Sequence, residues 1–454
     1  MISNSFPEEL IEFLRIPSIS TQPEHESDIL KAAEYLVGYV ESIGVDNCQI
    51  INTEGYPVVY GEKIVNDKLP TVLVYGHYDV QPADSADEWI SMPFEPAFRK
   101  TELHPQGALF ARGACDDKGQ LFIPLKAFEY LRSAGSLPCN FKFIFEGEEE
   151  IGSVSLPKFI GSNKELLKSE ALIVCDTAMI DRSTPALIYK LKGAGLIDMK
   201  ITTKNPDLHS GIYGGVVPNP ATELCKVVTR VEEYFQQTLN VGSFSNTNYK
   251  LFNLGSSLDV KQHKNGLSHN ASVIAQHLPT MEINGVQSGY CGKGHKTVIP
   301  NTASVKISVR SAVGEGTQVL LDRLISYVNE LRSADFQISM ESDNLCEPVQ
   351  VATDSPEFIA AKTSLSNVFG NDAVEIGIGG SIPIVQMFKD QLNLDSLLMG
   401  FGLNSDDIHS ANEHFGLENF NKGVATYVQF FEEYAKNFDS QQALVTEEIE
   451  PVNL

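Results

Sequence analysis

Four short stretches carry side chains able to do chemistry. His77 and Asp79 follow the apolar run "TVLVY" (71–75). Asp116 and Asp117 sit in "RGACDDKG". Glu148, Glu149 and Glu150 follow "FKFIFEG" (141–147), and Asp176 ends "ALIVCD" (171–176). Each stretch alone has an ordinary reading. An Asp after a strand commonly serves a turn or caps the next helix, a Glu run is commonly a solvated face, and a lone His commonly bonds nearby backbone. Gathered at one edge of one sheet, these carboxylates would repel one another strongly, and divalent cations remove that repulsion. An imidazole with several carboxylates and no cysteine set suits zinc or a similar metal at a catalytic rather than a structural site. A ligating imidazole needs an acceptor for its second ring nitrogen. Asp79, two residues from His77, is placed to provide it and is read as orienting the ring rather than binding metal.

The elements that must position these groups follow from hydrophobic patterning. "ESDILKAAEYLVGYVESIG" (26–44) and "DKGQLFIPLKAFEYLRSAG" (117–135) have helical spacing. The runs 57–61, 71–76, 141–147 and 171–176 are continuously apolar strands, so an α/β sheet covered on both faces is expected. Three of the four clusters then lie at strand ends, beyond which open α/β sheets place their sites, and the fourth leads into a helix packed on the sheet. The middle differs. Strand 193–204 alternates, helix 220–235 follows, then a stretch rich in Asn, Ser, Gly and His (about 240–300) read as loop. Strand 303–311, helix 317–334 and strand 336–341 complete a separate α+β set. After 346–370 the first style resumes as helix, strand, Gly-rich turn, strand and helix. The expected organisation is therefore a discontinuous catalytic domain (1–190 and 347–454) with a mainly parallel sheet, interrupted by an α+β insertion (191–346). The tail from about 437, polar and acidic, is expected to pack loosely.

Composition limits the alternatives. The chain has 454 residues and a net charge of −25, which argues against nucleic acid as a partner. The N-terminus shows no basic, apolar leader, and no apolar run approaches the ~18 residues of a membrane span. Seven scattered cysteines with no CxxC pair fit reduced thiols in a cytoplasm.

Taken together and in order, "GHYDVQP", "RGACDDKGQ", "EGEEEIGS", "CDT", "DLHSGIYGG" and "HSANEHF" resemble the M20 metallopeptidases, and within them the branch of cytosolic non-specific dipeptidases and carnosinases. The resemblance runs from about residue 8 to 435. It implies a catalytic domain interrupted by a lid and dimerisation domain, and two divalent metals per subunit, zinc first, with manganese or cobalt also able to fit. It implies that His77 and Asp176 bind one metal, that Asp116 bridges both, and that Glu150 and His409 complete the other. The family pattern Glu-Glu-x-Gly-Ser falls on Glu149–Ser153, making Glu149 the general base and leaving Glu148 outside the set. His209, in "HSG", would reach the oxyanion from the other subunit of a homodimer. Arg310 would face the substrate carboxylate, and Gly380 and Ser381 in "GGSIP" would line the pocket. Gly377 and Ile378 stand where the related dipeptidases often carry Arg-Glu.

The implied reaction is hydrolysis of a dipeptide or short peptide, with a metal-bridging water activated by Glu149. An N-acyl-amino-acid deacylase with the same centre is the alternative. A binding protein with a dead site would lack the base or a ligand, and none of these residues is missing.

Overall fold

The computed structural model describes residues 4–83, 88–238 and 271–449. The chain divides into two compact units. One comprises Met1–Tyr189, Val351–Ile376 and Met387–Leu454; the other comprises Lys190–Gln350 and Gly377–Gln386.

The first unit is built on strands β1 (Asp46–Ile51), β2 (Val58–Lys63), β3 (Thr71–His77), β4 (Asn140–Glu146), β5 (Ala171–Val174), β6 (Ala186–Leu191) and β7 (Ser396–Leu398). Their spatial order is β1-β2-β4-β3-β5-β7-β6. The four central strands β4, β3, β5 and β7 are parallel, and antiparallel strands flank them. Every residue of β4 is buried, as a strand covered on both faces requires. Phe141, Phe143 and Phe145 repeat at period two and so share one face. Phe128 of helix α1 (Lys118–Ser133) meets the first two edge-on, at 5.1 and 5.6 Å between centroids. Phe431 of the long C-terminal helix (Leu417–Ile449) closes on Phe141 at 4.9 Å.

Because β3 and β4 run parallel with His77 opposite Glu146, both deliver their C-terminal residues to the same edge. β5 is paired to β3 in the same direction, with Val174 opposite Tyr75, two residues before Asp176. Three of the four acid-rich stretches therefore share an origin in strand direction, and the fourth, Asp116–Asp117, opens the helix Lys118–Ser133.

The second unit carries a four-stranded antiparallel sheet in the order Thr280–Ser288, Thr302–Ser311, Gly193–Thr202, Gln337–Cys346. Gly193–Thr202 alternates buried and exposed positions along most of its length. Its inward residues Ile197, Met199 and Ile201 share a core with Leu224, Val227 and Val231 of helix Pro220–Thr238 and with Leu320, Leu321 and Leu324 of helix Thr317–Glu330.

Two expectations change. The stretch 240–300 is not all loop: helix Ala271–His277 and the edge strand Thr280–Ser288 lie in it, while 239–270 fall outside the described residues. Helix Pro383–Leu392 follows the Gly-rich turn where a strand was expected; Pro at its first position and the apolar Ile384, Val385 and Phe388 suit a helix opening. The C-terminal helix extends to Ile449 and so takes in the described part of the tail. No helix among the described residues is long and apolar enough to cross a membrane.

Candidate metal centre

Asp116 stands at the middle of the site. One carboxylate oxygen lies 3.0 Å from Nε2 of His77, the other 2.7 Å from Nε2 of His409. Asp176 Oδ2 lies 3.7 Å from His77 Nε2, and Glu150 Oε2 lies 3.5 Å from His409 Nε2. The donors thus form two triples, His77–Asp116–Asp176 and Asp116–Glu150–His409, that share Asp116, with donor atoms within 4.8 Å of one another in each. All five side chains belong to the first unit. A set of imidazoles and carboxylates at this spacing fits two borderline or hard divalent cations, with the shared carboxylate between them.

His77 is fully buried at the end of β3. Its Nδ1 lies 3.0 Å from the Asp79 backbone carbonyl and 3.4 Å from the Asp79 carboxylate, which leaves Nε2 toward Asp116. The Asp79 carboxylate does more than face the ring. It accepts the backbone N–H of Glu149 at 3.2 Å and of Glu150 at 3.1 Å. It therefore fixes the short turn Glu149–Ile151, which ends at Gly152 with φ +89°, a left-handed conformation glycine adopts without strain. Gln81 donates to Glu150 Oε2 at 2.7 Å. Glu148 points elsewhere: its carboxylate accepts the backbone N–H groups of Tyr56 and Ser155.

Asp117 occupies the N-cap position of α1 without making a side-chain cap. Its carboxylate accepts the His77 backbone N–H at 3.1 Å. It approaches Gly76 so closely that a Cβ there would lie 2.7 Å from the carboxylate oxygen. The glycine before His77 thus makes room for an acid that holds the imidazole's own backbone.

The electrostatics are those of acids crowded away from water. Burial pushes Glu149 up to about 8 and Glu150 to about 9, with neighbouring acids adding to both, and it pushes Asp176 to about 6. Burial works against the charge on Asp116, but the His409 and His77 imidazoles hold it below the usual range. Burial likewise opposes charge on His77, and the Asp116 and Asp79 carboxylates more than offset it.

One residue that sequence reasoning passed over organises this centre. Glu413 is fully buried. Its carboxylate accepts the backbone N–H groups of Cys115 (2.8 Å), Asp116 (3.0 Å) and Gly113 (3.0 Å), and the Arg112 guanidinium at 2.8 Å. It lies four residues after His409, so one segment supplies a donor to the centre and also grips the loop that carries Asp116. In sequence it is only one acid in "HSANEHF", and nothing in its spacing marks a receiver of three amides. Glu413→Gln leaves Arg112 buried without its counter-charge and turns an NH₂ toward backbone donors. The expected cost is about 3–5 kcal/mol of stability with metal affinity lowered ~10–100-fold. Denaturant titration and metal titration of the variant check both, and wild-type values in each would remove the role.

The other site residues lie in the second unit. His209 is exposed, and its Nδ1 accepts the Gly211 backbone N–H at 3.0 Å. Arg310 Nη1 donates to Ser381 Oγ at 2.8 Å, and that hydroxyl donates to the Lys192 carbonyl at 2.5 Å. Gly380 is exposed one residue before.

A sheet with four parallel central strands, beside whose C-terminal edge two linked donor triples gather, is the setting of a metal-dependent enzyme, and comparison with known proteins makes this specific. Residues 73–433 match the model of peptidase family M20/M25/M40, so the chain belongs to this peptidase family. It is 28% identical over 465 residues to the Cys-Gly metallodipeptidase of Candida albicans, covering 95% of each chain. It is 28% identical over 404 residues to the human Beta-Ala-His dipeptidase, covering 84% of this chain and 78% of the relative. Among solved structures it superposes on the M20 family metallo-carboxypeptidase from Sulfolobus solfataricus with a TM-score of 0.78 at 28% identity, covering 95% of this chain and 100% of the other.

Proposed function

We propose that this peptidase hydrolyses dipeptides or short peptides at a dinuclear centre held by His77, Asp116, Asp176, Glu150 and His409. The observation that carries the reading is the division of the Asp116 carboxylate, one oxygen toward each imidazole. The two cations, zinc first and manganese or cobalt as alternatives, would supply positive charge that acidifies water and polarises the scissile carbonyl. Glu149 takes the proton of the attacking water and returns it to the leaving amine. Its place rests on Asp79, which holds its backbone N–H. His209, donated across a homodimer, steadies the developing oxyanion. Arg310 receives the substrate carboxylate as a fork, with Ser381 and the Gly380 backbone lining the same pocket.

Hydrolysis of Cys-Gly and β-Ala-His, set beside N-acetylated amino acids, tests the substrate class. Cleavage of free dipeptides, restored by Zn²⁺ or Mn²⁺ after chelation, is the expected result. Cleavage of N-acylated amino acids alone would make the chain a deacylase with the same centre. In the same assay His209→Ala should lose most activity while retaining its metals, and full activity would remove the shared-site role.

A further inference from the structure

We propose that His104, Asp406 and His414 form an additional, buried site for one transition-metal ion of the zinc class, apart from the centre around Asp116. All three lie in the first unit, and their exposures are 2%, 0% and 6%. Their donor atoms lie within 4.8 Å of one another. His104 Nε2 is 2.9 Å from Asp406 Oδ1, and His414 Nε2 is 3.7 Å from the same oxygen. These spacings repeat those of His77–Asp116–Asp176, at 3.0 and 3.7 Å.

The surroundings orient the donors. Asp406 Oδ2 is already occupied by the Leu403 backbone N–H at 3.0 Å and the Cys115 thiol at 3.7 Å, which leaves Oδ1 to the two imidazoles. His414 Nδ1 faces the Asn412 carbonyl at 2.9 Å. A proton on Nδ1 therefore leaves the Nε2 lone pair directed at Asp406, as a ligating histidine requires. A separation of 3.7 Å is too long for a hydrogen bond. It is close to the ~3.3 Å between donors that bonds of about 2.0–2.1 Å give around tetrahedral zinc. Phe110 stacks on the His414 ring at 4.5 Å and walls one side with apolar surface. Two imidazoles and one carboxylate leave a fourth position for water.

Such an ion would join segments far apart in sequence. His104 precedes the strand Ala108–Phe110, and His414 opens the strand His414–Gly416 that pairs with it. Asp406 lies three residues before His409. The ion would thus stiffen the strap that presents His409, without touching substrate.

The test counts zinc per chain in the full-length protein, stripped with chelator and dialysed against Zn²⁺, for wild type, His104→Gln and His414→Phe. Each variant is expected to hold one zinc fewer than wild type, to keep its peptidase activity at saturating zinc, and to show a smaller zinc-dependent rise in Tm. Equal zinc in wild type and both variants overturns the site. Anomalous diffraction at the zinc edge from wild-type crystals needs no variant: a peak among the three side chains supports the site, and its absence beside peaks at Asp116 overturns it. The loss of one ion in the variants stands whatever the Asp116 centre binds, so failure of either assignment is read separately.

Discussion

Glu149→Gln is expected to lower kcat for dipeptide hydrolysis by about 10²–10⁴-fold, the scale of a lost general base, with metal content unchanged. The glutamine keeps the size of the side chain and the backbone N–H that Asp79 accepts, so the turn Glu149–Ile151 should stand. What disappears is a group able to take a proton. Burial pushes Glu149 up to about 8. Positive charge nearby would bring that value down, so with cations in place the carboxylate is ionised and ready at neutral pH. Steady-state kinetics beside metal analysis decide the matter. A variant within a few-fold of wild type would assign proton transfer elsewhere, and a variant that loses metal would make Glu149 a ligand.

Asp116→Ala should remove both cations' affinity together, because its two oxygens serve both triples. Replacing another donor, such as Asp176, should weaken one triple more than the other. The expected fall for Asp116→Ala exceeds the ~10–100-fold that loss of even an outer partner costs, and peptidase activity should fall with it. Competitive titration against a chelating dye measures the affinities. The pH dependence has a definite sign. In the metal-free protein Glu150 titrates at about 9 and Asp176 at about 6. Both must lose their protons to bind metal, so binding releases protons, weakening below pH 9 as Glu150 protonates and further below 6 as Asp176 does. Affinity that stays constant from pH 9 to 6 would mean that Glu150 does not ligate, and no further loss below 6 would mean the same of Asp176.

Much of the fold was open to reading because continuous apolar runs and helical periodicity are local properties. Strand 71–77 and helix 118–133 follow from them directly. The strand Thr280–Ser288 did not, and the reason is visible in its register. Pairing with Thr302–Ser311 slips between Ile283 and Gly285, so one inserted residue breaks the alternation that marks a strand. The site was legible where a motif fixed the register, as for Glu150, which the structure brings beside Asp116 and His409. It was not legible where function lies in receiving backbone amides: Glu413 and Asp117 look like any acid in a loop. Asp79 was read as a partner of His77 alone. Its hold on the Glu149 turn joins residues 70 apart in sequence and leaves no trace in either segment.

The grip of Glu413 on Gly113, Cys115 and Asp116 spans about 300 residues. A ribosome makes the loop long before it makes the clasp. His77, Asp116, Glu150 and Asp176 have all been made while His409 and Glu413 are still untranslated. The nascent chain therefore passes through a long interval in which its most crowded negative charges have neither their last imidazole nor their anchor. Completion of the centre waits for His409 and Glu413, so earlier metal capture by the nascent chain would have to proceed through His77, Asp116, Glu150 and Asp176.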